Sequence, residues 1–167
     1  MSLISPEYLA QQRDLHDDQN YGTSGHKYAA VVREIAGLLD TQDILDYGCG
    51  KRTLERALGY PISNYDPSIP GVDGEPRPAD LVVCTDVLEH IEPDYLDNVL
   101  DDLERVTLRF LMVVVVNRAA KKILPDGRNA HLIQEPLSWW IPKFEARFSV
   151  REIRVQGTKM FIFAAAK

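Results

Sequence analysis

Short runs of apolar residues alternate along this chain with stretches whose apolar positions recur every three to four residues. Pro6 to Leu15 reads as a helix, with Ser5 as its N-cap and proline at its first position. A polar loop, Asp17 to Gly25, follows. From His26 to Leu39, the residues Tyr28, Val31, Val32, Ile35, Leu38 and Leu39 keep helical spacing. Asp43–Tyr47, Ile62–Tyr65 and Asp80–Thr85 are short enough and apolar enough for buried strands, and Thr53 to about Leu58 is a helix between the first two. Glu92-Pro93-Asp94 opens a helix to about Val106, with Tyr95, Leu96, Val99, Leu100 and Leu103 facing inward. Phe110 to Val116 has the continuous β-branched character of a central parallel strand. Asn117 to His131 is a polar loop that turns at Pro125-Asp126-Gly127. Pro136 to Arg147 is a helix expected to break or distort near Pro142. Phe148–Val155 and Lys159–Ala165 form a closing hairpin across Gln156-Gly157-Thr158.

Strands alternating with helices predict an α/β fold: a mostly parallel sheet, helices on both faces, and an antiparallel C-terminal hairpin strand. At 167 residues the chain is long enough for one cored domain, 1–167, and too short for two. Residues 1–25 form an N-terminal helix and a candidate lid.

Candidate chemistry begins where the first strand ends. Ile44-Leu45-Asp46 runs into Tyr47-Gly48-Cys49-Gly50, and a helix-compatible segment follows at Thr53. Glycines there let backbone approach a ligand closely, and the first helical N–H groups point toward it. Twenty residues past Asp46 lies Asp66, at the end of the second strand, where a carboxylate is placed to bind a ribose diol. The alternative for Asp66 is a turn before Pro67. A third element is Cys84-Thr85-Asp86-Val87-Leu88-Glu89-His90, at the carboxyl edge of a strand.

Together the three motifs resemble the class I S-adenosylmethionine (SAM)-dependent methyltransferases, in the small-molecule type that carries D-V-L-E-H. Compact methyltransferases of bacteriophage genomes look similar. The resemblance implies a Rossmann-like sheet and SAM as cofactor. It implies cofactor contacts at Asp46, Gly48, Cys49, Gly50, Asp66, Thr85 and Asp86, with Tyr21 on a loop that folds over the cofactor. Only thirteen residues, four of them proline, separate Asp66 from Asp80, where the family places a helix and a strand. That pair is expected to be missing, leaving one sheet edge trimmed. Arg52 stands where many relatives have a third glycine. It either crowds the helix start or points outward.

The implied function is methyl transfer to a small-molecule acceptor, at oxygen or nitrogen. His90 and His131 are candidate catalytic bases, because imidazole accepts a proton near neutral pH. The alternative for His90 is a packing histidine against Glu89. Asp126, Arg128 and Asn129 are candidates for binding a polar substrate, and Trp139, Trp140 and Phe144 for walling the acceptor site or filling core. The trimmed sheet and Arg52 keep open a SAM-binding regulator or partner subunit, or an enzyme that degrades SAM.

Composition narrows the partners. A net charge of −6 argues against broad capture of nucleic acid. Cys49 and Cys84 lack metal-ligand spacing, and no Cys/His metal cluster is visible, so no metal is expected. They read as small apolar groups in a reducing compartment. The longest apolar run is too short to span a bilayer. The N-terminus lacks the pattern of a signal peptide, so a cytoplasmic location is expected. The trimmed sheet edge leaves a second copy as a candidate partner.

Overall fold

The computed structural model describes residues 2–167; Met1, the first residue of the expected single domain, lies outside the described residues. Helix α1 is Pro6–His16, and Ser5 caps it by accepting the Tyr8 N–H. A 3₁₀ turn, Ser24–Tyr28, leads into α2, Ala29–Leu39. Then come β1 (Ile44–Tyr47), α3 (Thr53–Leu58), β2 (Ser63–Tyr65) and β3 (Ala79–Thr85). Helix α4 is Leu96–Val106, β4 Thr107–Val116, α5 Leu137–Arg147, β5 Phe148–Gln156 and β6 Lys159–Ala166.

These strands form one six-stranded sheet in the order β2-β1-β3-β4-β6-β5. The first four are parallel, and β6 is antiparallel to both β4 and β5. Alternation within each strand feeds two cores. Leu81 and Val83 of β3 face α2 and α3, with Val32, Ile35 and Leu54; Val82 and Cys84 face α4 and α5, with Leu100, Leu103, Trp140 and Phe144. Among the described residues no strand lies beyond β2, so the expected trimmed edge is present. In its place Asp66 to Val72 form a tight turn, with the Asp66 N–H donating to the Val72 carbonyl.

Three local expectations need correction. Helix α5 is not broken at Pro142. Pro142 and Ser138 both lie on its exposed side, where water can take the Ser138 carbonyl that loses its partner. Leu38 does not face the core; it is 82% exposed. The inward stripe runs through Val32, Ile35 and Ala36, and Leu38 falls on the opposite side of the turn. Strand β4 begins at Thr107 rather than Phe110, because its first residues pair with the start of β3. The carboxyl ends of β1, β3 and β4 converge on one edge, over which α1 and the loop after it pack.

Candidate active site

The chain leaves β1 through a turn that L side chains adopt at a cost: φ is +79° at Gly48, +49° at Gly50 and +54° at Arg52. The Gly48 and Cys49 N–H groups both donate to the Tyr65 carbonyl, at 2.7 and 3.0 Å, which ties the turn to β2. A Cβ on Gly48 would stand 2.4 Å from a Val87 methyl, and one on Gly50 would stand 2.5 Å from the Gly22 carbonyl oxygen. The glycines are therefore required by the protein's own backbone and by Val87. Arg52 resolves by pointing into solvent.

The Asp66 carboxylate closes one wall. It accepts the Gly50 N–H at 3.2 Å through Oδ2, and the Ser68 N–H and hydroxyl at 3.0 and 2.6 Å through Oδ1. The Ser68 bonds are the turn reading of Asp66; the Gly50 bond joins it to the glycine turn. His16, at the end of α1, places Nε2 3.8 Å from Asp66 Oδ2. Burial pushes the His16 imidazole below its usual pKa, against the pull of Asp66. Tyr21 stacks edge-on against His16 and donates its hydroxyl to Gln12.

At the far wall, the Tyr28 hydroxyl donates to the Asp86 carboxylate and accepts from Lys159 Nζ at 2.7 Å. Asp86 takes φ +55° as β3 turns away. Glu89 follows, fully buried, with Oε1 accepting the Val116 N–H at 3.1 Å and Oε2 without a partner. Burial lifts its carboxyl to about 8. His90 Nδ1 lies 2.8 Å from the Ala130 carbonyl, and His131 Nδ1 lies 2.6 Å from the Arg118 carbonyl. A carbonyl only accepts, so each Nδ1 carries the hydrogen and each Nε2 is left free. Burial, with the neighbouring His131, pushes His90 down to about 4.

Between these walls lies a cavity of about 410 Å³, within the range of roughly 300–1,000 Å³ usual for small ligands. Tyr21, Gly48, Gly50, Asp66, Asp86, His90 and His131 line it, so seven expected residues from five separate segments meet there. Asp46, Cys49 and Thr85 do not line it; all three are buried behind the turn and at the end of β3. Asp46 is held up to about 7, first by burial and then by Asp66.

The other substrate candidates are used within the fold. Asp126 pairs with Arg128, and Asn129 bonds the Ala120 backbone in both directions. Trp140 and Phe144 are core, while Trp139 is partly exposed under Lys143. Sequence reasoning did not find His16, Tyr28 or Lys159, which no local motif marks. Glu89, His90 and His131 each bring a ligand-capable atom within 4.8 Å of the others, because the 117–131 loop folds back onto β3.

The cavity suits a ligand with both polar and apolar parts. Gln12 Nε2, His16 Nδ1 and Glu89 Oε2 are buried without partners, and all three residues line it. A second cavity adjoins it, sharing His16, Gly50 and Ser68 and extending to Ile69 and Pro70.

Comparison with known proteins bears on this arrangement. A family model described as a methyltransferase domain matches residues 16–153. No curated protein matches the chain. Among solved structures, the chain is similar to 1,6-didemethyltoxoflavin-N1-methyltransferase of Burkholderia thailandensis, solved with 1,6-didemethyltoxoflavin and S-adenosylhomocysteine. The two are 16% identical over 100% of this chain and 92% of that one, with a TM-score of 0.69. Magnesium protoporphyrin IX methyltransferase of Synechocystis, with bound S-adenosylhomocysteine, is 14% identical over 97% and 95% of the two chains, TM-score 0.60. A 16S rRNA methylase is 11% identical over 99% and 77%, TM-score 0.54. At such identities the likeness carries the fold alone.

Proposed function

We propose, from the premise that this chain belongs to the class I SAM-dependent methyltransferase domain family, that it methylates a small-molecule acceptor at oxygen or nitrogen. The observation that carries the acceptor class is the cavity itself: about 410 Å³ and lined by both motif ends. A net charge of −6 supports the same choice over a nucleic acid. No helix among the described residues is long and apolar enough to cross a membrane.

SAM supplies a methyl group already activated on a sulfonium. The chain's part is to hold the two substrates in line, exclude water and accept a proton. Asp66 accepts hydrogen bonds from the ribose hydroxyls through lone pairs left by Gly50 and Ser68, a charge-assisted contact. Gly48, Gly50 and Cys49 form the bend against the methionyl part, with Asp46 and Asp86 setting its charge and the Thr85 carbonyl accepting from the cofactor's ammonium. Adenine reaches toward Ile69 and Pro70 in the adjoining cavity. Tyr21 covers the site, as part of the loop that Lys51 N–H anchors through the Gly22 carbonyl at 2.8 Å. The acceptor lies at the His90 and His131 end, where free Nε2 atoms draw its proton. Alignment is the larger share of the rate, since effective molarities of roughly 10⁵–10⁸ M are reached by well-oriented groups. Proton transfer adds on the order of 10²–10⁴-fold.

The test uses SAM carrying a radiolabelled methyl group, incubated with the protein and separately with small-molecule, RNA and protein fractions of a cell extract. Label is expected in the small-molecule fraction. Label that appears only in RNA or protein would overturn the acceptor class.

A further inference from the structure

Two imidazoles and one carboxylate meet at the acceptor end of the cavity in a way that proton transfer alone does not explain. Glu89 is fully buried, and its Oε2 has no hydrogen-bond partner. A buried polar atom left unpaired is destabilising, so a group that binds there recovers that cost. The His90 and His131 rings stand nearly perpendicular, with centroids 4.7 Å apart. Both donate Nδ1–H to backbone carbonyls, of Ala130 and Arg118. A carbonyl on the second nitrogen is the usual partner of a metal-binding histidine, because it fixes the tautomer and aims the free nitrogen. One ligand-capable atom from each of the three residues lies within 4.8 Å of the others. Atoms bound at about 2.0–2.2 Å to one ion stand within about 4 Å of each other, so small side-chain rotations close the set.

We propose that Glu89, His90 and His131 bind one divalent ion of the zinc class at the acceptor end of the cavity. Imidazole nitrogen favours Zn²⁺, Co²⁺ or Fe²⁺, whereas Mg²⁺ and Ca²⁺ prefer all-oxygen shells. Three protein ligands leave at least one position open, and all three residues line the cavity, so that position faces the substrate. On the methyl-transfer reading above, the open position takes an acceptor oxygen. With both Nε2 atoms held by the ion, the imidazoles no longer act as the base; the ion instead acidifies an acceptor hydroxyl bound there, which releases its proton to water. Its oxygen lone pair then forms the C–O bond as the S–CH₃ bond breaks and its electron pair returns to sulfur. The products are the methyl ether and S-adenosylhomocysteine. The acceptor class narrows to hydroxyl-bearing small molecules.

The experiment uses untagged full-length protein stripped with a chelator, titrated calorimetrically with Zn²⁺, Co²⁺ and Mg²⁺. The Co²⁺ adduct is also followed by visible absorption. One Zn²⁺ or Co²⁺ per chain is expected, at least tenfold tighter than Mg²⁺. His131→Ala and Glu89→Gln should each weaken binding by more than about 100-fold, beyond the roughly 10–100-fold usual when only a supporting residue is lost. His26→Ala should leave it unchanged. Affinity for S-adenosylhomocysteine, kept in His131→Ala, reports that the variant is folded. No stoichiometric ion in the parent protein, or equal binding in His131→Ala and Glu89→Gln, overturns the metal site. Loss of S-adenosylhomocysteine binding by the parent protein would instead overturn the methyl-transfer reading and leave the ion site standing.

Discussion

Replacing Asp46 by Asn isolates the largest electrostatic cost that the fold places beside its glycine turn. Asp46 is 3% exposed, and its carboxyl is lifted from the ordinary 3.8 to about 7, by burial first and then by Asp66 and Glu55. Each pKa unit is worth about 1.4 kcal/mol, so the rise corresponds to ~4 kcal/mol. The sign follows from linkage. The folded chain holds the proton more tightly than the unfolded chain. The stability this confers is complete below about pH 4 and is lost as pH rises through about 7. Asparagine keeps the shape and never ionises, so the variant escapes that loss. Its advantage over the parent protein should widen by ~3 kcal/mol between about pH 5 and pH 8. Glu89, lifted to about 8, is present in both proteins and cancels in the comparison. Urea unfolding of both chains with chelator, at the two pH values, measures the difference directly. A constant difference across that range would show that Asp46 is solvated or paired, against the burial described above.

Three further outcomes follow from the site. Asp66→Ala should weaken binding of S-adenosylhomocysteine in calorimetry by about tenfold or more, through loss of charge-assisted hydrogen bonds; unchanged affinity would reduce Asp66 to its turn with Ser68. Gly50→Ala should destabilise by at least ~2 kcal/mol, from the left-handed backbone and the Gly22 carbonyl 2.5 Å away, and hydrogen exchange should speed up in residues 17–25. A silent Gly50→Ala would mean that this loop does not rest on the turn. Arg52→Gly should raise stability by about 0.5 kcal/mol, because relief of the left-handed backbone outweighs the entropy of glycine in the unfolded chain. A clear drop in melting temperature would give the Arg52 side chain a role that its exposure does not suggest.

The parts of the site legible in the sequence are those whose signal is local. Gly48 and Gly50 follow an apolar strand directly, and Asp66 closes the next one. The trimmed edge was legible because thirteen proline-rich residues cannot hold a crossover helix and a strand. Pro142 was misjudged for the opposite reason. Whether a proline breaks a helix depends on what meets the freed carbonyl, and only the packed helix shows that Ser138 faces solvent.

Periodicity and turn chemistry, which act between residues a few positions apart, determined by themselves the strand–helix order, the glycine turn and the closing hairpin. The tertiary structure alone decided what surrounds the cavity. It laid His16 against Asp66, set Lys159 and Asp86 on either side of the Tyr28 hydroxyl, and brought His131 across forty-one positions to His90. Such contacts carry no sequence spacing, because they arise where separate elements reach one sheet edge and each buried polar atom takes whatever partner the packing presents.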